Sequence, residues 1–282
     1  MRTLLIAALW LPILVAQRPT SKIGNSAAEA VFDLGGGSLT HFLLKGGLNP
    51  LKWLGPADRD AKLRPMAHFL CLDRWGQPSE AEIAAGIPYH GEATRVEWKV
   101  ESASGAETVL AASLPMAGLD VRRRARLLGD AAVLQVEETV TNRNKMGKVY
   151  NMVQHPTIGP PFLDEQTLVD SNASRGFMQS SPLPNPEEPG IYWPQALRRG
   201  QNVNMRTLTT DPNPNVVSYV VDEPMGWVTA SSPTHNLVLG YIWKTSEYPW
   251  FNAWRHVDDN KKPLARGLEF GTTGLHQPFG VL

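Results

Sequence analysis

Three short segments of the 282-residue chain carry side chains that can move protons near neutral pH. In Gly86-Ile87-Pro88-Tyr89-His90-Gly91-Glu92-Ala93, a histidine sits between a Pro-Tyr turn and a glycine, with backbone freedom to project from a loop. In Val153-Gln154-His155-Pro156, a second histidine ends a strand-like run. An unperturbed imidazole titrates near pH 6.5, which suits general acid–base work. In Arg266-Gly267-Leu268-Glu269-Phe270-Gly271-Thr272, a carboxylate stands between apolar residues within an expected strand. Held on an apolar face, its pKa rises and it becomes a better base. Each residue also has a purely structural reading. A strand-end histidine can be hydrogen-bonded scaffolding, and Glu269 on the solvent side of a strand would be a surface charge.

Other combinations carry less. Arg255-His256 beside Asp258-Asp259 offers metal-ligand types, but the run WRHVDDNKK reads as a solvated turn, so no metal is assigned. Gly35-Gly36-Gly37 precedes no helix and is not a phosphate loop. No G-x-S-x-G, P-loop or H-E-x-x-H motif occurs, and no cofactor is expected. Of nine tryptophans, Trp53, Trp75, Trp193, Trp250 and Trp254 lie in Pro/Gly-flanked, loop-like contexts, where a flat ring can stack on a sugar. Trp75 is the leading stacking candidate. Trp98, Trp227 and Trp243 fall in strand patterns and read as core. The 27 Lys plus Arg balance 27 Asp plus Glu, which removes the basic footprint of a nucleic-acid binder. A single cysteine excludes an internal disulfide framework and a Cys-rich zinc site. The composition suits an uncharged small ligand.

The elements that must position these residues read as strands. Period-two apolar alternation marks Ala30–Leu34, Ser38–Lys45, Thr94–Glu101, Glu107–Leu114, Leu119–Leu127, Ala132–Asn142, Val216–Val221, Gly226–Ala230 and Leu237–Lys244. Strands at roughly ten-residue spacing point to an all-β sandwich or barrel. One short helix is expected over Ser79–Ala85, with Ser79 as N-cap, Glu82 completing a capping box and Gly86 ending it. Six prolines between Gly159 and Gly190 make that stretch a long ordered loop, of a kind that is usually functional. Met1–Gln17 has a charged start and an apolar run, Leu4–Ala16, too short to span a bilayer. It reads as a cleaved signal peptide, leaving residues 18–282 as one domain in the periplasm or outside the cell. The expected partner is a small sugar or sugar derivative, with no nucleic acid and no membrane contact after cleavage.

GIPYHGEATRVEW resembles the segment of aldose 1-epimerases and related hexose-phosphate epimerases that reads G-x-P-x-H-G-x-A-R followed by a tryptophan. The resemblance continues through QHPTIGPPFL and RGLEFGT, with His, His and Glu in the family's order and wide spacing across most of the mature chain. It implies a galactose mutarotase-like β-supersandwich. It also implies a mechanism in which Glu269 removes the anomeric proton, His155 protonates the ring oxygen, and His90 and Arg74 hold hydroxyls. Arg74, in FLCLDRWG, occupies the place of the family's sugar-contacting arginine. The family's further sugar-binding Asp maps to Asp170 or Asp211. Arg95 follows His90-Gly-x-Ala one residue late, which would turn it to the other strand face. The chain stops soon after the Glu269 strand, so a truncated C-terminus with an exposed sheet edge is expected there. Two other readings stand beside the enzyme: a non-catalytic exported sugar-binding sandwich, and a structural sandwich with core histidines.

Overall fold

The computed structural model describes residues 18–52, 67–179, 190–207, 215–260 and 262–276. The leader, Trp53, Asp211 and residues 277–282 lie outside the described residues. The first half of the chain runs β1 (Thr20–Gly24), β2 (Ala28–Asp33), β3 (Leu39–Leu44), β4 (Phe69–Asp73), α1 (Glu80–Ala84), β5 (Lys99–Ala103), β6 (Glu107–Leu114), β7 (Leu119–Leu127) and β8 (Leu134–Asn142). The middle holds β9 (Asn151–His155), β10 (Thr157–Ile158), β11 (Leu168–Ser171), β12 (Arg175–Met178), β13 (Ile191–Tyr192), β14 (Gln195–Arg198) and β15 (Gln201–Asn204). It ends with β16 (Val216–Val220), β17 (Met225–Ser232), β18 (Leu237–Lys244), β19 (Trp250–Val257) and β20 (Pro263–Gly271).

These strands form an all-β supersandwich of antiparallel sheets. The largest sheet runs β13-β12-β16-β19-β20-β9-β4, with β10 also pairing β20. Smaller sheets are β5-β6-β7-β8, β1-β2-β3, β11-β17-β18 and the β14-β15 hairpin. One hydrophobic core serves all of them, joining Ile23, Leu110, Val121, Leu70, Leu268, Val169, Leu239 and Ala196. The β9-β4 end of the large sheet is covered on both faces, since no residue of β4 or β9 is exposed. In β4 the two-residue period sends Leu70 and Leu72 into the common core. Phe69 and Cys71 go the other way, into a second cluster with Val153 and Trp75.

Most alternations in the sequence are strands here, and β6, β7 and β18 span the expected residues. Helix α1 carries the expected capping box: Ser79 accepts from the Glu82 N–H, and Glu82 from the Ser79 N–H at 2.8 Å. Four expectations need correcting. Thr94–Glu101 is strand only from Lys99, because Arg95 N–H turns back to Glu92 O and the buried Trp98 indole donates to Ala93 O. Trp250 and Trp254 are not loop residues but lie on β19. The Pro-rich stretch is not wholly loop, since β11 and β12 form within it. The last described strand is no sheet edge: β20 re-enters the middle of the sheet, with β19 on one side and β9 and β10 on the other.

One glycine places a site residue. Gly91 has φ +80°, and a Cβ there would lie 2.2 Å from the Leu72 carbonyl oxygen. Its bare backbone forms a parallel bridge to Leu72, which docks the His90 loop against β4. Gly91→Ala is therefore expected to cost about 2 kcal/mol or more, from a left-handed backbone and a forced separation. Ser79→Ala, which removes only the helix cap, should cost about 1 kcal/mol. Chemical denaturation of both variants checks the order.

Candidate active site

Strand register brings the proton-moving residues together. β20 pairs with β9 as Phe270↔Gln154 and Gly271↔Val153, and β10 continues that register as Gly267↔Thr157. Glu269 and His155 therefore stand side by side on one face. The row extends through Asn252 on β19 and Ser218 on β16 on one side, and through Phe69 on β4 on the other. On that face of β20 the sequence reads Gly267, Glu269, Gly271, so the carboxyl has no taller neighbour on its own strand. Leu268 and Phe270 alternate into the core behind it.

His90 arrives from the loop between α1 and β5. It holds a left-handed backbone at φ +65°, uncommon for a side chain of this size. Its Nδ1 accepts from the Gly76 N–H at 3.1 Å and lies 3.4 Å from Cys71 Sγ. Those contacts assign the ring proton to Nε2. Its ring meets His155 edge-on at 5.1 Å, and the His155 ring stacks on Phe69 at 4.1 Å.

A cavity of about 270 Å³ opens over this row, lined by Trp75, Tyr89, His90, His155, Glu269 and His276 among others. Within it His155 Nε2 lies 3.2 Å from Glu269 Oε1, and Trp75 Nε1 donates to Glu269 Oε2 at 2.7 Å. Glu269 and Trp75 are each 2 % exposed. Burial raises the Glu269 pKa to about 8, opposed in part by the Trp75 hydrogen bond. Burial lowers that of His155 to about 3, and of His276 to about 4; His90 falls well below the usual imidazole range, again chiefly by burial. At neutral pH the pair thus holds one proton, on Glu269. Glu269 Oε1 faces His155 Nε2, and His155 Nδ1 lies 3.3 Å from Thr157 Oγ1, so the ring can accept at one nitrogen while donating at the other.

Two sequence candidates are not brought to the cavity. Arg74 turns to helix α1, where its Nε donates to Glu82 Oε1 at 2.6 Å, and it also pairs with Asp73 at 3.0 Å. Glu82 divides its two oxygens between this guanidinium and the helix cap. Asp170 lies on β11 in a separate sheet, where the Arg206 guanidinium takes its carboxylate in a two-pronged pair. Trp75 does reach the cavity, but it meets Glu269 through its indole N–H. The Asp258-Asp259 segment is a turn closed by Asp258, which accepts from the N–H groups of Asn260 and Lys262. Trp254, one of the stacking candidates, does line the cavity, from β19. Polar lining residues that escaped the sequence reading include His276, which follows β20 without a motif around it, and Asn215, which reaches the cavity only when β16 and β19 pair beside β20.

The titrations carry a stability consequence. Glu269's folded pKa lies above its ordinary value of 4.5, so its contribution is fully present below about pH 4.5 and is lost as pH rises through about 8. Glu269→Gln keeps the shape and never has to ionise. Its Tm should match that of the parent near pH 5 and exceed it by a few degrees near pH 9, at about 2–4 °C per kcal/mol. Thermal melts across that range check the sign.

No protein-family model matches the chain, and no curated protein matches it. Solved structures do. The galactose mutarotase related enzyme from Lactobacillus acidophilus superposes with a TM-score of 0.65 at 11% identity, covering 90% of this chain and 85% of that one. A galactose mutarotase-like protein from Lactobacillus casei gives 0.64 at 17%, covering 92% and 89%. At such identities the likeness is one of architecture, and the architecture of this chain is the galactose mutarotase-like β-supersandwich.

Proposed function

We propose that this protein interconverts the anomers of a small sugar, in the manner of an aldose 1-epimerase, with Glu269 as base and His155 as acid. The observation that carries the reading is the buried Glu269–His155 contact at the floor of a small, aromatic-rich cavity. Ring opening needs a proton taken from the anomeric hydroxyl and one given to the ring oxygen. Those oxygens share a single carbon, so base and acid need not stand a whole sugar ring apart, and a hydrogen-bonded pair that parts around the substrate suffices. The cavity, at about 270 Å³, lies just below the roughly 300–1,000 Å³ typical of ligand sites, which suits a ligand no larger than a monosaccharide.

The chemistry follows from the one shared proton. When it moves from Glu269 Oε1 to His155 Nε2, the pair becomes carboxylate and imidazolium. The carboxylate removes the anomeric O–H proton, and that electron pair forms the carbonyl as the C1–O5 bond breaks. The ring oxygen takes the proton from His155 Nε2. Rotation about C1–C2 and the reverse steps close the ring on the other face of the carbonyl. No group outside the protein is required. His90 and His276 line the cavity and would hold hydroxyls in this reading. The reading includes export, on the strength of the apolar leader.

A non-catalytic sugar-binding role is the second reading, favoured by Arg74 being held at helix α1 and away from the cavity. NMR saturation transfer between α and β anomers separates the two. The epimerase reading expects exchange above the spontaneous rate for at least one common monosaccharide. It also expects a loss of about 100- to 10,000-fold in Glu269→Gln and in His155→Ala, the range of a general acid or base. Saturable sugar binding with no added exchange would replace it with the binding role.

A further inference from the structure

Resting on the epimerase reading, we infer that Trp75 is a positioning residue. Its indole N–H anchors Glu269 Oε2 and thereby makes Oε1, the oxygen beside His155, the atom that takes the anomeric proton. An indole nitrogen can only donate, so Oε2 is committed as an acceptor and the movable proton belongs to Oε1. The donor is 2.7 Å from Oε2 and its ring is 2 % exposed, so it cannot swing away into solvent.

Two glycines support the same assignment. A Cβ at Gly267 would stand 2.9 Å from Oε1, so the bare backbone keeps the space beside the reacting oxygen open. A Cβ at Gly76 would strike the His276 ring at 2.6 Å, and His276 packs edge-on against Trp75 at 4.7 Å. The chain thus leaves room at Gly76 for the ring that packs against the tryptophan.

The titratable groups facing Glu269 are His155 on β9, Cys71 on β4, and Tyr89, His90 and His276 from the loops. All three imidazoles are driven neutral by burial, and the Tyr89 and Cys71 pKa values are raised by burial and by Glu269. Within this neutral surround the Trp75 hydrogen bond is what lowers the Glu269 pKa. Removing it disfavours the carboxylate. That should thin the productive carboxylate–imidazolium form at every pH at which the pair holds one proton. It should also move the pH at which the last proton leaves upward from about 8, while the addition of a second proton, on His155 near 3, stays in place.

The test is the pH profile of kcat/KM for anomer exchange in Trp75→Phe. A second variant carries benzothienylalanine at 75, which keeps the indole's shape without its N–H and covers the case in which Trp75→Phe does not fold. The expected result is a plateau lowered by about ten- to a hundredfold, as for a hydrogen bond to a charged group. The alkaline limb should move to higher pH with the acid limb fixed. A rise in KM with both limbs unmoved would mean that Trp75 stacks on the sugar, and a uniform loss with unmoved limbs would mean a structural role; either overturns the inference. Parent protein that exchanges no anomers would defeat the epimerase reading itself, and this inference with it.

Discussion

A carboxyl group buried in the middle of a β-sheet is costly unless its surroundings either neutralise it or hydrogen-bond it. Here both occur, and the site is organised around that requirement. Glu269 keeps a proton because burial disfavours the anion, and both of its oxygens find partners: His155 at one, Trp75 at the other. His155 is buried by the same sheet and is driven the opposite way. One proton shared between two groups of opposed preference is a poised acid–base pair, held by strand register and not by a mobile loop.

The rest of the architecture serves that pair. Because β20 runs between β9 and β19, the carboxyl can be flanked on one face by His155 and Asn252 while Leu268 and Phe270 anchor the strand from behind. Gly267 and Gly271 keep the site face of the strand low. Loops then bring donors to the rim. The His90 loop is pinned by the Gly91–Leu72 bridge and by the contact of Gly76 N–H with the imidazole. A left-handed histidine backbone is strained, and it persists because neighbours on both sides fix it.

Much of this was legible in the sequence, for identifiable reasons. Period-two alternation in Glu107–Leu114 and Leu119–Leu127 reflects strands whose two faces meet different surroundings, so those elements stand where the pattern puts them. The run Arg266-Gly267-Leu268-Glu269-Phe270-Gly271 marks a carboxylate framed by apolar residues, and the structure buries it as that framing suggests. What escaped was long-range. β4 and β9 are buried on both faces and so carry no alternation to read. The diversion of Arg74 depends on Glu82 having a second free oxygen after capping helix α1, which only the folded helix reveals. His276 and Asn215 become neighbours of the site through pairing partners far along the chain. Trp75 was visible as a candidate, but its contact through the N–H edge needed coordinates.

The protonation state of Glu269 tests the account most directly. Infrared difference spectroscopy of the ligand-free protein at pH 6–7, with Glu269→Gln as reference, should show a protonated carboxyl C=O band that titrates away only as pH approaches about 8. If Glu269 is instead a carboxylate throughout pH 5–7, with no such band, the picture of a single proton held by a neutral Glu269–His155 pair is wrong.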